Sequence, residues 1–368
     1  MSDSITPRDN PNLFGHMAAE QTLLQAQSTG RMHHGWLITG PRGIGKATLA
    51  YRFARYLLAQ GAGGTAQDEN LFGEPVLPDS LHVSEDHPVF QRVAAGAHGD
   101  IRLVTRSLND RGVLRSEIVV DDVRTVGSFL SMTAAEGGWR IVIVDSADEM
   151  NRNAANALLK VLEEPPKRAL LLLLAHNPGR LLPTIRSRCR QLPLRPLADD
   201  LVAEKLVSLR KDLEKSDAER LARIAEGSIG RALALHEAGG LETYDTLLGV
   251  LATLPALDGE RVHKLGDTLA RAGAENSFRT VTDLLRWWLG RLILYGSGGQ
   301  INLPADEKAL MDRLFNAAPL DRWLSVWENV DHLITRAGGG GNLDRKQVIL
   351  NAFLALRKAV PEAASTVS

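Results

Sequence analysis

The chain has 368 residues, with 43 basic and 44 acidic side chains and a formal net charge of −1. That length allows two or three domains, and the even charge balance argues against a stand-alone nucleic-acid binder held by one basic face. Cys189 is the single cysteine, which excludes an intrachain disulfide and a cysteine-rich zinc site.

Residues 1–12 are polar and lack an apolar signal core, and the longest apolar run, 169–175, is far too short to span a membrane. The expectation is a soluble, cytoplasmic protein with no membrane partner. Residues 33–39 end in Trp36-Leu37-Ile38-Thr39, a short apolar strand. Next comes Gly40-Pro41-Arg42-Gly43-Ile44-Gly45-Lys46-Ala47, which matches G-x-x-x-x-G-K-[ST] at every position but the last. Glycines at 40 and 45 let the backbone curl tightly and aim its N–H groups at phosphate oxygens. Lys46 supplies a point charge for the β- and γ-phosphates. The eighth position should carry a hydroxyl for Mg²⁺, but it is Ala47; Thr48 offers a hydroxyl one residue late, turned by about 100° on a helix. Ala47, Ala50, Phe53, Ala54, Leu57 and Leu58 then recur at helical spacing. A strand, glycine loop and helix in this order place phosphate at a helix N-terminus.

Residues 60–117 carry little pattern beyond a loop at 61–64. His82, His87 and His98 are irregularly spaced and have no cysteine partner, so they are read as surface or core-edge histidines and no metal is expected. Residues 118–120 suggest a strand, followed by a helix through Val123, Val126, Phe129 and Leu130. Residues 139–144 form an apolar strand ending at Asp145. Residues 154–163 read as an amphipathic helix with Asn153 as N-cap, stopped by Pro165 and Pro166. The leucine run 169–175 fits a strand buried on both faces. Pro193 and Pro196 mark a boundary, after which no strand pattern recurs. Residues 197–238 read as about three short helices with a turn at Gly227. Beyond Gly239-Gly240 the chain is helical, interrupted at 296–299 and 338–341. Strands joined by helices imply an α/β fold with a parallel, doubly wound sheet. The expected domains are a phosphate-loop core at 1–196, a helical lid at 197–240 and an all-helical domain at 241–368.

Several residues carry candidate chemistry. Asp145 ends an apolar strand about a hundred residues after the loop, where a Walker B aspartate holds Mg²⁺; a strand-end or capping carboxylate is the alternative. The next residue, often a glutamate that polarises water, is Ser146, which is a poor base. Asp148 and Glu149 lie beyond the strand end and would have to swing back. Asn177, just past the leucine strand, either reaches a γ-phosphate or forms an Asn-Pro turn with Pro178. Arg186, Arg188 and Arg190 form a basic cluster, either a solvated face or the source of an arginine presented to a neighbouring subunit's nucleotide. Trp287, Trp288, Trp323 and Trp327 lie in two amphipathic segments, either at a subunit boundary or in their own domain's core.

Two further elements identify a family. The run Asn156 to Pro166, with Leu162-Glu163-Glu164-Pro165-Pro166 at its end, and the element Ser187-Arg188-Cys189 closely resemble signatures of the AAA+ subunits of the DNA polymerase III clamp loader. With Gly40 to Lys46 and Asp145, the likeness covers most of residues 12–240. It implies an AAA+ P-loop core, a small helical lid and a helical collar that joins subunits into a pentameric ring. It implies as partners the motor (gamma/tau) and delta subunits, the sliding clamp and primed DNA within the complex. Asn342 to Lys346 also resembles the collar end of delta-type chains. The motor subunit of this family has Lys-Thr or Lys-Ser in its loop and Asp-Glu in Walker B. Here Lys46-Ala47 and Asp145-Ser146 resemble instead the members that do not hydrolyse ATP and donate Ser-Arg-Cys to the adjacent motor. The resemblance therefore assigns Arg188 as a trans-acting arginine finger. The candidate nucleotide-site residues are Gly40, Gly43, Gly45, Lys46, Thr48, Asp145 and Asn177, for ATP bound weakly or without hydrolysis, and members of this type vary in whether their loop retains nucleotide. Two departures stand out: there is no four-cysteine zinc module, and Gly230 follows Gly227-Ser228-Ile229 where the motor's lid has an arginine, leaving Arg231 one place late. The rival expectation is an active motor subunit of the same loader.

Overall fold

A computed structural model describes residues 6–61, 79–135, 138–338 and 344–360. The expected loop beyond Gly61, the glycines 339–341 and the pair Asn342-Leu343 lie outside the described residues. The chain divides into two compact units, Met1–Ala232 and Leu233–Ser368.

In the first unit the order is α1 (Met17–Ser28), β1 (Gly35–Thr39), α2 (Lys46–Gly61), α3 (Pro88–Ala94), β2 (Ile101–Val104), α4 (Val120–Ser131), β3 (Arg140–Val144), α5 (Arg152–Glu163), β4 (Ala169–Ala175), α6 (Pro183–Arg188) and β5 (Arg190–Pro193). Short 3₁₀ turns at Ala147–Glu149 and Pro178–Arg180 follow β3 and β4. The helices α7 (Asp199–Leu209) and α8 (Lys215–Ala225) come next, and α9 (Ile229–Glu237) begins in this unit and runs on into the second. Five strands make one sheet in the order β2-β3-β4-β1-β5, and every pairing is parallel. This is the α/β class expected from the alternating pattern.

The leucine run is a strand because both its faces are covered. Leu170, Leu172 and Leu174 pack with Trp36, Ile38, Ile141, Ile143 and the apolar side of α2. Leu171 and Leu173 pack with Leu37, Val142, Val144 and the inner faces of α4 and α5. Each leucine so buried contributes about 1.5–3 kcal/mol, enough to override leucine's preference for helix. Buried arginines fasten the N-terminal segment to α2. Arg55 donates to the carbonyls of Arg8 (2.8 Å) and Asn10 (2.7 Å), and Arg52 pairs with Glu20 at 2.7 Å.

Two local expectations are corrected. Residues 118–120 are not a strand: Ile118 makes a single bridge to Met150, and Val120 already opens α4. The cap of α5 is Asn151, whose Oδ1 accepts from Ala154 N at 2.9 Å, rather than Asn153. The sheet gains an edge strand that carries no apolar run: β5 follows Arg188 and pairs with β1. Within the unpatterned 60–117 stretch the structure also holds α3 and the edge strand β2.

The second unit contains α10 (Gly240–Leu251), α11 (Gly259–Ala270), α12 (Glu275–Gly296), α13 (Ala305–Ala317), α14 (Leu320–Gly338) and α15 (Arg345–Ala359), with no strand among its described residues. Trp288 and Trp323 are fully buried and fill this unit's own core. Trp287 is half-buried, edge-on to Tyr244 at 5.8 Å and beneath the Arg291 guanidinium at 4.9 Å. No helix among the described residues is long and apolar enough to cross a membrane.

Candidate nucleotide site and exposed arginine

The sheet brings the site together. Register pairs Thr39 with Ala175 and Val144 with Leu173, so the loop after β1 and the segments after β4 and β3 emerge side by side. In open parallel sheets ligands bind at these carboxyl ends. The loop opens with Gly40 N donating to Ala175 O at 3.2 Å. Gly40, Gly43 and Gly45 hold φ of 147°, 72° and 111°, values that disfavour any side chain. The loop leads directly into the 16 residues of α2, which opens at Lys46 and so sets a helix N-terminus against the loop. His16, the residue before α1, braces the loop from outside: its Nε2 lies 2.8 Å from Ile44 O.

Lys46 is buried, and all three of its ammonium hydrogens are used. Nζ donates to Gly40 O (2.6 Å), Pro41 O (2.7 Å) and His176 Nδ1 (2.8 Å). Burial pushes its pKa down to about 8, against the pull of Asp145 and Asp148. Because Nδ1 of His176 accepts, Nε2 carries the ring proton and donates to Ser146 Oγ at 3.1 Å. Burial, with the Lys46 and Arg42 charges adding to it, pushes His176 down to about 4, so the ring is neutral at pH 7. Ser146 itself has φ 61°, an uncommon left-handed conformation for a serine, immediately after Asp145. Asp145 is anchored through its N–H to Val104 O at 2.9 Å. Its carboxyl is raised above the usual range by burial, partly offset by Lys46.

The other carboxylates nearby are engaged. Asp148 accepts from the backbone N–H of His176 (3.0 Å) and of Asn177 (2.8 Å), which fixes the turn after β4. Glu149 pairs with Arg42 of the loop and with Arg106 at 3.0 Å. Asn177 uses its Oδ1 to accept from Gly179 N at 3.2 Å, capping the 3₁₀ turn. Thr48 is buried in the first turn of α2, and Ala47 presents no oxygen.

The turn before α9 closes on the loop. Gly230 N donates to Gly43 O at 2.9 Å, and Ser228 Oγ donates to Arg42 O at 2.8 Å. A Cβ at Gly230 would lie 2.8 Å from both Cα and O of Gly43, so only glycine fits there. Arg231 pairs with Glu226 at 3.2 Å.

Arg188 stands apart from this cluster, as the last residue of α6. Its side chain is 38% exposed and pairs with Glu163 at 2.9 Å. Cys189 beside it is buried, which pushes its thiol up to about 12 and leaves it inert.

Sequence reading brought Gly40, Gly43, Gly45, Lys46 and Asp145 to one place. It missed His176, whose only signal was its position directly after the leucine strand. It also missed the contact of Ser228 and Gly230 with the loop, which joins segments nearly two hundred residues apart.

The glycine loop and the α2 N-terminus fit a phosphate group, which Lys46 would meet by giving up one of its three bonds within the chain. The same residues lack the hydroxyl that would complete a Mg²⁺ shell. Sheet order and loop together define the class, a P-loop α/β protein of the AAA+ type.

Comparison with known proteins narrows this. The family model described as DNA polymerase III, delta subunit, matches residues 15–198. The protein named DNA polymerase III subunit delta' from Pseudomonas aeruginosa is 37% identical over 60% of this chain and 61% of its own length. The Escherichia coli subunit delta' is 29% identical over 91% of this chain and 92% of its own. A solved Thermotoga maritima protein related to the DNA polymerase III gamma subunit matches at 19% identity and TM-score 0.39, covering 92% of this chain and 99% of its own. The chain spans about three fifths of the Pseudomonas relative's length. It belongs to the DNA polymerase III delta subunit family, on the side of the delta-prime subunits. The clamp-loader resemblance read from the sequence is thereby borne out.

Proposed function

We propose that the chain works as a clamp-loader subunit that holds a nucleotide without hydrolysing it and donates Arg188 to a neighbouring ATPase. Its partners are then the motor (gamma/tau) and delta subunits in a pentameric ring, with the sliding clamp and primed DNA acted on by the whole assembly. Residues 197–240 serve as a lid and 241–368 as the collar that joins the ring.

One observation carries the non-hydrolysing part. Around the end of β3, Asp148 and Glu149 are both committed to structural partners, and position 146 is a serine. Among the described residues at the end of β3, that leaves Asp145, beside Lys46, without a second uncommitted carboxylate to orient water. His176 occupies the side of the cradle facing Lys46 and accepts from it, so it is no base toward water while that bond holds.

For Arg188 the support is chemical. A guanidinium stays charged throughout the physiological range and forks onto two oxygens, which suits a transferring phosphoryl group. Here it sits at the unit's surface, and the chain's own cradle does not engage it.

The reading is tested by steady-state ATP hydrolysis on the purified chain. No turnover is expected. A rate on the order of 1 s⁻¹ that Lys46→Ala abolishes would instead identify an active motor.

A further inference from the structure

We propose that Glu163 is a cis latch on Arg188, holding the guanidinium on its own subunit until a neighbour's nucleotide competes for it. The inference rests on the reading of Arg188 as a trans-acting arginine.

Both terminal nitrogens of Arg188 are occupied within the chain. Nη2 meets Glu163 Oε1 at 2.9 Å, and Nη1 donates to Thr184 O at 3.2 Å. These two nitrogens are among the donors that fork onto paired phosphate oxygens, so engagement in trans must break the cis contacts. The pair is 38% and 49% exposed, which leaves it accessible and weak enough for a triphosphate to displace.

The backbone sets this juxtaposition. Glu163 ends α5 and Arg188 ends α6. The neighbours of the two charges, Leu162 and Cys189, are both buried, at 2% and 8% exposure. They converge on Gly35, where an added Cβ would lie 2.9 Å from Leu162 Cδ2 and 3.3 Å from Cys189 Sγ. The glycine lets the two helix ends close, and the flanking charges are brought face to face at the surface. Leu162-Glu163-Glu164-Pro165-Pro166 and Ser187-Arg188-Cys189 therefore form one device, with the first supplying the latch and the second the group it holds.

The test uses the assembled loader with clamp and primed DNA, comparing wild type, Glu163→Gln, Arg188→Ala and the double variant. Glutamine keeps the size and an acceptor oxygen but removes the charge. Glu163→Gln should raise kcat/KM for ATP by about two- to fivefold, the range that loss of an exposed ion pair allows. The rise should vanish in the Arg188→Ala background, because a latch acts only through what it holds. Glu163→Asp, which keeps the charge, should lie closer to wild type. Unchanged or lowered kcat/KM for Glu163→Gln, with Arg188→Ala impaired, overturns the latch and leaves the trans-acting reading standing. A rise that persists in the double variant also overturns the latch. Wild-type rates from the Arg188→Ala loader overturn both.

Discussion

Protonation of His176 offers a direct probe of the cluster around Lys46. An unfolded histidine takes up its proton near 6.5, whereas this ring does so only at about 4, chiefly because it is buried and secondarily because Lys46 and Arg42 are close. Between those two values the unfolded chain binds more protons than the folded one, so stability falls as pH drops from about 6.5 toward 4. For a fully buried ring the gap would be worth about 3 kcal/mol. His176 is half-buried and solvent screens part of the effect, so we expect a loss of about 1–2 kcal/mol. The assay is a histidine-selective NMR titration from about pH 8 to about pH 4.5 on the full chain, with His176→Gln for assignment. The His176 signal should stay at its neutral position throughout most of this range. Lys46→Met, which removes a neighbouring positive charge, should move the titration upward. A wild-type midpoint near 6.5 would refute the reasoning, because it would mean that the ring is open to water and free of Lys46.

Further outcomes follow from the same geometry. Gly230→Ala forces a Cβ to within 2.8 Å of the Gly43 backbone and should destabilise the first unit by about 1–3 kcal/mol, read as a lowered midpoint in urea. Lys46→Ala should abolish binding of a fluorescent ATP analogue, measured by anisotropy, while an unchanged Kd would remove the loop from the nucleotide site. Ser146→Glu alone should not create ATP turnover, since Ala47 still lacks the metal-binding hydroxyl; a measurable rate would show that the missing carboxylate was the sole defect. A chain ending at Gly240 should remain folded by circular dichroism but fail to co-elute with the other loader subunits on gel filtration.

Fold and site differ in how far the sequence discloses them. The strands buried on both faces, β3 and β4, are plain in the sequence because covering both faces demands unbroken apolar runs. The edge strands are hidden for the opposite reason. β5 reads Arg190-Gln191-Leu192-Pro193 with only Leu192 buried, and β2 buries only Val104. Neither has a pattern that differs from a loop. The phosphate loop is legible because its glycines are required by local backbone angles. His176 is not, because its role depends on β4 lying between β1 and β3, which is a matter of topology. Asp148 and Glu149 were visible as acidic residues, but their commitment to backbone N–H groups and arginines is a long-range fact. Of the four tryptophans at 287, 288, 323 and 327, Trp288 and Trp323 fill the core of their own unit. Helical periodicity cannot separate an interface stripe from a core stripe, since both require the same spacing.

The most direct test of the central claim is ATP hydrolysis by a loader assembled with Arg188→Ala or Arg188→Lys in this chain, stimulated by clamp and primed DNA. If Arg188 completes a neighbour's site, both variants should assemble normally and bind ATP, yet hydrolysis at that neighbouring site should fall by orders of magnitude, as loss of an arginine finger entails. Lysine should restore little, because it keeps the charge and loses the forked geometry. Wild-type hydrolysis from either fully assembled variant would contradict the account and return Arg188 to the solvated surface.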